Sequence, residues 1–124
     1  LNLNALYNGR SADCVFKKAK ELGANQITFR ELYISGTGTP QDEWIKKNLI
    51  SREFLTELNS YILEKGKFLR VLEYGHKLYS VDEMSVVVDD DCMSKRGKEE
   101  LRYLILRPDC KLYSSWDDKG SLVF

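Results

Sequence analysis

The stretch SREFLTELNSYILEKG, residues 51–66, followed directly by KFLRVLEYGHKLYSVD, residues 67–82, decides the fold. In its first part apolar side chains recur at Phe54, Leu58 and Ile62. This spacing places them on one face of a helix, while most of the residues between them are polar. The first part therefore predicts an amphipathic helix with one buried face.

The second part of the stretch predicts a β-hairpin. Gly66 can adopt the left-handed conformation that ends a helix, and beyond it the apolar period changes from helical to extended. Gly75 and His76 stand between the two extended halves, with glycine first as a type II′ turn requires. The sequence thus predicts a two-residue turn at Gly75 and His76.

Two more helices are predicted before this stretch, over residues 12–22 and residues 40–50. Each follows a hydroxyl residue that can cap a helix, and the second begins with proline, which favours the first helical position. Residues 27–34 are ambiguous, because they fit both the alternation of a strand and the spacing of a helical turn, and the helical turn is slightly favoured.

The C-terminal third predicts strands joined by turns and by a polar connection over residues 89–98 that can include a helical turn. A β-branched run covers residues 84–88, a second hairpin pairs residues 101–106 with residues 111–116, and a short strand follows at residues 122–124. Helices first and antiparallel strands second are typical of an α+β protein. We expect three to four N-terminal helices packed on one face of an antiparallel sheet made from the two β-hairpins.

The composition is that of a globular protein. The 124 residues are 43% hydrophobic and 31% charged, and a chain of this length fits a single domain. We expect one α+β domain over residues 1–124. Residues 1–10 are expected to form an N-terminal arm, residues 11–66 to be mainly helical and residues 67–124 to form mainly antiparallel strands.

The charge and the cysteines limit the class of partner and the location. Nineteen basic and nineteen acidic residues give a formal net charge of zero, so nucleic acid would need a local basic patch. Cys14, Cys92 and Cys110 are an odd number without close spacing, which favours free thiols and a cytoplasmic location. No apolar run is long enough to span a membrane, so no membrane partner is expected.

Residues with catalytic or metal-binding chemistry are sparse. His76 is the single histidine, and a polar turn residue is a sufficient explanation for it. Asp89, Asp90 and Asp91 do not have the spacing of a calcium loop and fit a solvated acidic segment. The sequence therefore predicts no metal, no cofactor, no identifiable small-molecule ligand and no catalytic residue.

Aromatic residues on the predicted strands indicate a function in binding. Tyrosine and tryptophan are enriched at protein interfaces, because they bury apolar area and keep a polar group. The interaction residues predicted on this basis are Tyr74, Tyr79, Tyr103, Tyr113 and Trp116. We expect a non-enzymatic interaction or regulatory protein whose aromatic-rich sheet surface binds a protein partner or a second copy of the chain.

Two alternative functions remain. The order of elements resembles a winged-helix nucleic-acid-binding protein, with residues 51–65 as recognition helix and residues 67–82 as wing. The residues that would contact nucleic acid are Arg52, Thr56, Asn59, Arg70 and Lys77. Three glutamates on the same helix oppose this interpretation, since they repel phosphates. The other alternative is a small enzyme that uses His76 as its base.

Overall fold

The computed structural model describes residues 1–36, 38–72, 75–89, 104–114 and 119–124. Within them the chain forms three α-helices and seven β-strands, and the strands are divided between a five-stranded and a two-stranded sheet. The prediction of an α+β protein is therefore confirmed.

The helices are α1 (Ala12–Glu21), α2 (Pro40–Lys47) and α3 (Arg52–Lys65). The strands of the larger sheet are β1 (Asn2–Leu3), β2 (Gln26–Glu31), β3 (Lys67–Val71), β4 (Lys77–Val81) and β5 (Met84–Asp89). Those of the smaller sheet are β6 (Ile105–Leu106) and β7 (Leu112–Tyr113). Ser11, Thr39 and Ser51 cap the three helices, each accepting at 3.2 Å from the backbone N–H three residues further on.

The larger sheet is mixed, and the prediction of an antiparallel sheet is wrong for it. Its strand order is β1-β2-β5-β4-β3, with β1–β2 and β2–β5 parallel and the other pairs antiparallel. The slight preference for a helical turn is wrong for residues 26–31, which are a strand because Ile27 and Phe29 point into the core while their backbone pairs with β5. The segment expected as an N-terminal arm contributes β1, whose Leu3 is fully buried.

The second predicted hairpin forms, but not as part of the larger sheet. β6 and β7 pair antiparallel with each other, across a turn in which the N–H of Cys110 donates to the carbonyl of Arg107 at 2.9 Å. The two hairpins therefore lie in separate sheets, contrary to the prediction. Residues 101–103, 115 and 116 of the predicted strands lie outside the described residues. Of the last predicted strand, Leu122 makes one bridge to Tyr113.

The core lies between one face of the larger sheet and the helices α1 and α3. Phe54, Leu58 and Ile62 are all buried in it, as their spacing predicts. Their partners are Val15 and Phe16 of α1 with Leu3, Ile27, Phe29, Val81, Met84 and Val86 of the sheet. α3 thus runs across the central strands and presents its opposite face outward.

Two details of the link from α3 to the hairpin differ from the prediction. Gly66 is extended, at φ −92° and ψ 144°, rather than left-handed. Glycine is required there because a Cβ atom would contact the carbonyl oxygen of Ile62 and lie 3.1 Å from Val81. The hairpin turn is longer than two residues, since Val71 lies opposite Lys77. A bulge between residues 68 and 70 shifts the register of the strand that enters the turn.

Candidate functional site

A cleft of about 360 Å³ opens where the parallel strands β2 and β5 end. α3 contributes Asn59 and Leu63 to one wall, and β4 with the residue before it contributes His76, Lys77 and Tyr79 to the other. Ligands of open sheets containing parallel strands commonly bind beyond the carboxyl ends of those strands. The position and mixed polarity of this cleft make it the candidate site.

Exposed apolar side chains flank the cleft. Leu63 is 68% exposed, Phe68 51% and Val71 56%. Phe68 lies opposite Tyr79, with ring centroids 5.8 Å apart and an edge-to-face angle of 72°. Val71 lies opposite Lys77, and opposite residues in a sheet point to the same face, so both β3 side chains border the cleft. We call Leu63, Phe68, Val71 and Tyr79 the apolar rim.

A row of charged and titratable residues crosses the sheet at the same end. Asp82 and Glu83 form a two-residue turn with positive φ at both positions, so Leu78 pairs with Val87. Two residues further along this register, His76 lies opposite Asp89. On the other side of β5, Asp89 lies opposite Arg30 of β2. The register therefore brings together His76, Asp89 and Arg30.

Asp89 forms a hydrogen bond with Arg30 but not with His76. Arg30 donates from Nε to Asp89 Oδ2 at 3.0 Å, whereas His76 Nε2 is 3.7 Å from Oδ1, too far for a hydrogen bond. Among the described residues, Asp89 Oδ1 is buried without a hydrogen-bond donor. His76 and Leu78 alternate with Lys77 and Tyr79 along the chain, so His76 and Asp89 lie on the face of the sheet away from the side chains of Lys77 and Tyr79. His76 borders the cleft at the end of the sheet.

The buried carboxylate of Asp42 has a structural task elsewhere. It accepts from the N–H of Ser35 at 2.8 Å, from the hydroxyl of Ser35 at 3.0 Å and from the N–H of Gly38 at 3.1 Å. These bonds fix the loop that leads into α2. Asp42 therefore stabilises a backbone conformation and does not face the cleft.

The structure does not bring the predicted interaction residues together. Tyr79 lies half-buried in the cleft wall, while Tyr113 is buried in the smaller sheet. Tyr74, Tyr103 and Trp116 lie outside the described residues. The described face of the larger sheet away from α1 and α3 carries aliphatic, hydroxyl and charged residues rather than aromatic ones.

Tyr113 has polar partners within its own hairpin. Its hydroxyl donates to Asp109 at 2.7 Å, and the guanidinium of Arg107 lies 3.8 Å from the ring centroid. The hydrogen bond from Tyr113 lowers the pKa of Asp109, and the same bond raises the pKa of Tyr113. The contacts with Asp109 and Arg107 account for the position of the Tyr113 side chain without a binding partner.

The residues predicted to contact nucleic acid are all exposed, namely Arg52, Thr56, Asn59, Arg70 and Lys77. Asn59 and Lys77 line the cleft together. Arg70 lies opposite Leu78 and so points to the other face of the sheet from Lys77. The hairpin is not a free wing, because β4 also pairs with β5 over four residues.

Three glutamates share the outer surface of α3 with Arg52, Thr56 and Asn59. Glu53, Glu57 and Glu64 are exposed, and Glu57 also accepts from the backbone N–H of Ala12 at 2.9 Å. With Arg52 and Lys65 as the basic residues of α3, its charged residues are more acidic than basic. This surface does not favour phosphate.

Metal ligands do not cluster within the described ranges, where no three His, Cys, Asp or Glu side chains gather. Asp90 and Asp91 of the acidic run lie outside those ranges. Among the helices of these ranges, none has the length and apolar composition needed to cross a bilayer.

The apolar rim was missed by the sequence interpretation. One signal was present: Leu63 falls outside the stripe formed by Phe54, Leu58 and Ile62, so a regular helix must expose it. The exposure of Phe68 and Val71 depends on β3 lying at the edge of the sheet, which no local pattern specifies.

Comparisons with known proteins assign no family to the chain. Its sequence matches no protein-family model, and no match was found among curated proteins or solved structures. The cleft and the apolar rim are therefore the basis for a function.

Proposed function

We propose that the chain is a non-enzymatic interaction protein that binds a protein partner, or a second copy of itself, through the apolar rim and the cleft beside it. The observation that carries this proposal is the exposure of Leu63, Phe68 and Val71 around one cleft. Apolar side chains grouped in this way mark interaction sites more often than single exposed ones do.

The cleft and the apolar rim suit a partner that inserts one side chain as an anchor. Binding energy at protein interfaces is concentrated in a few side chains that enter well-packed pockets. The cleft offers such a pocket, with Tyr79 in its wall and Asn59 and Lys77 to orient a polar group. The rim would then exclude water from around the anchor.

Affinity capture with a double variant tests this function. Phe68→Ser with Val71→Ser removes most of the exposed apolar area of β3 and deletes no buried core residue. Proteins retained by the wild-type chain should be lost by the double variant, because the rim no longer excludes water. Sedimentation velocity on both chains measures self-association in the same way.

The matched control is Leu22→Ser, since Leu22 is 76% exposed at the end of α1 and outside the rim. This variant should retain what the wild-type chain retains. If the double variant captures the same proteins as the control and sediments identically, the rim is not the binding surface and the proposal is wrong.

A small enzyme that uses His76 is the second candidate. Its support is the position of His76 in the cleft wall with Nε2 3.7 Å from the buried oxygen of Asp89. An imidazole beside a carboxylate can take a proton from water that attacks an ester or phosphodiester. On this view turnover of aryl ester and phosphodiester probes is lost in His76→Ala and reduced in Asp89→Asn. If the wild-type chain and both variants turn over the probes no faster than buffer alone, an enzyme that uses His76 is excluded.

We also propose a cytoplasmic location. Cys14 and Cys110 are free thiols in the structure, which suits a reducing compartment, and Cys92 lies outside the described residues. Cell fractionation with an antibody to the chain tests the location.

A further inference from the structure

Another groove, of about 330 Å³, lies between α1, the N-terminal residues and the start of β2. Val15 and Ile27 form its base, both only 8% exposed, and Ala19 lies beside them. Leu1 and Leu22 are exposed and border its opening. Sites for small molecules are concave, have volumes of this order and are lined mainly by apolar side chains. The groove therefore has the size and lining of such a site.

The charged side chains that line this groove are both basic. They are Arg10, which lies just before α1, and Lys18, one helical turn after Cys14. No acidic side chain lines the groove among the residues that the structure describes. Long basic side chains lay their methylene groups along apolar surface and keep the charged end in water. The groove thus combines an apolar interior with positive charge at its opening.

One of the two cations has a carboxylate partner within α1. Lys18 Nζ lies 3.0 Å from Glu21 Oε2, and the two side chains are 67% and 64% exposed. Ion pairs this exposed contribute little net energy, because water and salt screen them. The carboxylate of a ligand can therefore replace Glu21 as the partner of Lys18 at small cost.

We propose that this groove binds a small carboxylate with an unbranched apolar chain of about ten carbons. The chain contacts Val15, Ala19 and Ile27, and the carboxylate accepts from Arg10 or Lys18 at the opening. Along α1 the lining runs from Cys14 to Leu22, which is about 12 Å at the rise of an α-helix. An extended chain advances about 1.2 Å per bond, so about ten carbons fill this length.

Other classes of small molecule fit the groove less well. Val15, Ala19 and Ile27 have no polar side-chain atoms, so a sugar or nucleotide would bury hydroxyl groups or ring nitrogens there without partners. A chain with a cationic end would meet the like charges of Arg10 and Lys18. The inference is separate from the proposed function, because the groove and the cleft share no lining residue.

The first test measures the affinity of four ligands by isothermal titration calorimetry: hexanoate, octanoate, decanoate and decylammonium. Decanoate should bind about tenfold more tightly than decylammonium, because the two chains are equally long and only the charge differs. Each added pair of carbons should tighten carboxylate binding about fivefold, because the groove removes the chain from water.

The second test locates the ligand through the reactivity of Cys14. Cys14 lines the groove, and both Cys14 and Cys110 are exposed free thiols. Saturating decanoate should slow the alkylation of Cys14 by iodoacetamide several-fold and leave Cys110 unchanged. Peptide mass spectrometry measures both rates in one sample, so Cys110 is the internal control.

Variants identify the residues responsible. Arg10→Gln with Lys18→Gln should remove the preference for decanoate over decylammonium. Lys20→Gln with Lys47→Gln changes the net charge equally at exposed cations outside the groove and should keep the preference. Ala19→Phe should abolish decanoate binding, because its ring occupies the groove.

The groove and the apolar rim can be tested separately. Phe68→Ser with Val71→Ser should bind decanoate as the wild-type chain does. Leu22→Ser removes one apolar border of the groove, so it should weaken decanoate about threefold while it retains the captured proteins. Circular dichroism checks that each variant is folded.

Four results would overturn the inference. They are equal binding of decanoate and decylammonium, an affinity that does not rise with chain length, equal alkylation of Cys14 with and without decanoate, and tighter binding of an uncharged leucine-rich peptide than of decanoate. The alkylation result decides even if Ala19→Phe does not fold, because it uses the wild-type chain.

Discussion

Replacing Leu58 with alanine measures how firmly α3 packs on the sheet. Leu58 is fully buried at the centre of the helix face that covers the larger sheet. Its truncation removes three carbon atoms, worth about 0.8 kcal/mol each in lost transfer free energy. The space that remains raises the expected loss of unfolding free energy to about 3 to 4 kcal/mol.

Equilibrium unfolding in urea measures this loss, and Leu63→Ala is the matched control on the same helix. Leu63 is 68% exposed, so the same truncation should cost less than about 0.8 kcal/mol. The midpoint for Leu58→Ala should fall while the slope of the transition stays the same, because the surface exposed on unfolding hardly changes.

Similar losses for the two variants, or a loss below about 1 kcal/mol for Leu58→Ala, would refute this packing. Either result would mean that the buried face of α3 is not the one bearing Phe54, Leu58 and Ile62. The cleft would then lose one of its two walls, since α3 positions Asn59 and Leu63.

Further predictions concern residues outside the cleft. Asp42→Ala should lower the unfolding free energy by about 2 to 4 kcal/mol in urea titrations, because the part-buried N–H groups of Ser35 and Gly38 lose their acceptor. Ser51→Ala should cost about 1 kcal/mol and Ser51→Gly only a few tenths, as expected for a helix cap. Tyr113→Phe should raise the pKa of Asp109 toward its usual value in a carbon-13 NMR titration. Because the folded pKa is lowered, the ionised carboxylate contributes stability above its unfolded pKa, and that contribution is lost as the pH falls through the folded pKa. An unchanged pKa of Asp109, or equal effects of the two Ser51 variants, would contradict these assignments.

The elements that could be predicted from the sequence are those specified by neighbouring residues. α3 follows from the spacing of Phe54, Leu58 and Ile62 and from the cap at Ser51, all within four turns of one another. The antiparallel hairpin of β3 and β4 follows from alternation on both sides of one glycine. In these segments local preference and tertiary packing agree.

The sheet could not be predicted because its parallel half depends on distant contacts. By local pattern, residues 27–34 fit both a strand and a helical turn, with the helical turn slightly favoured. Pairing with β5 makes a strand of residues 26–31, and the paired Ile27 and Val86 are separated by nearly half of the chain. The position of β1 beside β2 is likewise set by burial of Leu3 rather than by its neighbours.

The candidate site was hidden by a turn with no sequence signal. His76 meets Asp89 only because Asp82 and Glu83 make a two-residue turn with positive φ at both positions. Glycine and asparagine are the usual residues in such a turn, and the sequence Asp followed by Glu does not predict it. Arg30 joins the pair through a contact that spans 59 residues.

The position of β5 has a consequence for synthesis. It is the last strand of the larger sheet to leave the ribosome, yet it separates β2 from β4 and bonds to both. Until Asp89 has emerged, the nascent chain holds two groups of elements that cannot join, and each exposes an open strand to other molecules. Polypeptides translated from messenger RNA truncated before the Met84 codon should therefore be degraded by proteases. During translation of the whole chain, chaperones should dissociate only after β5 has left the ribosome.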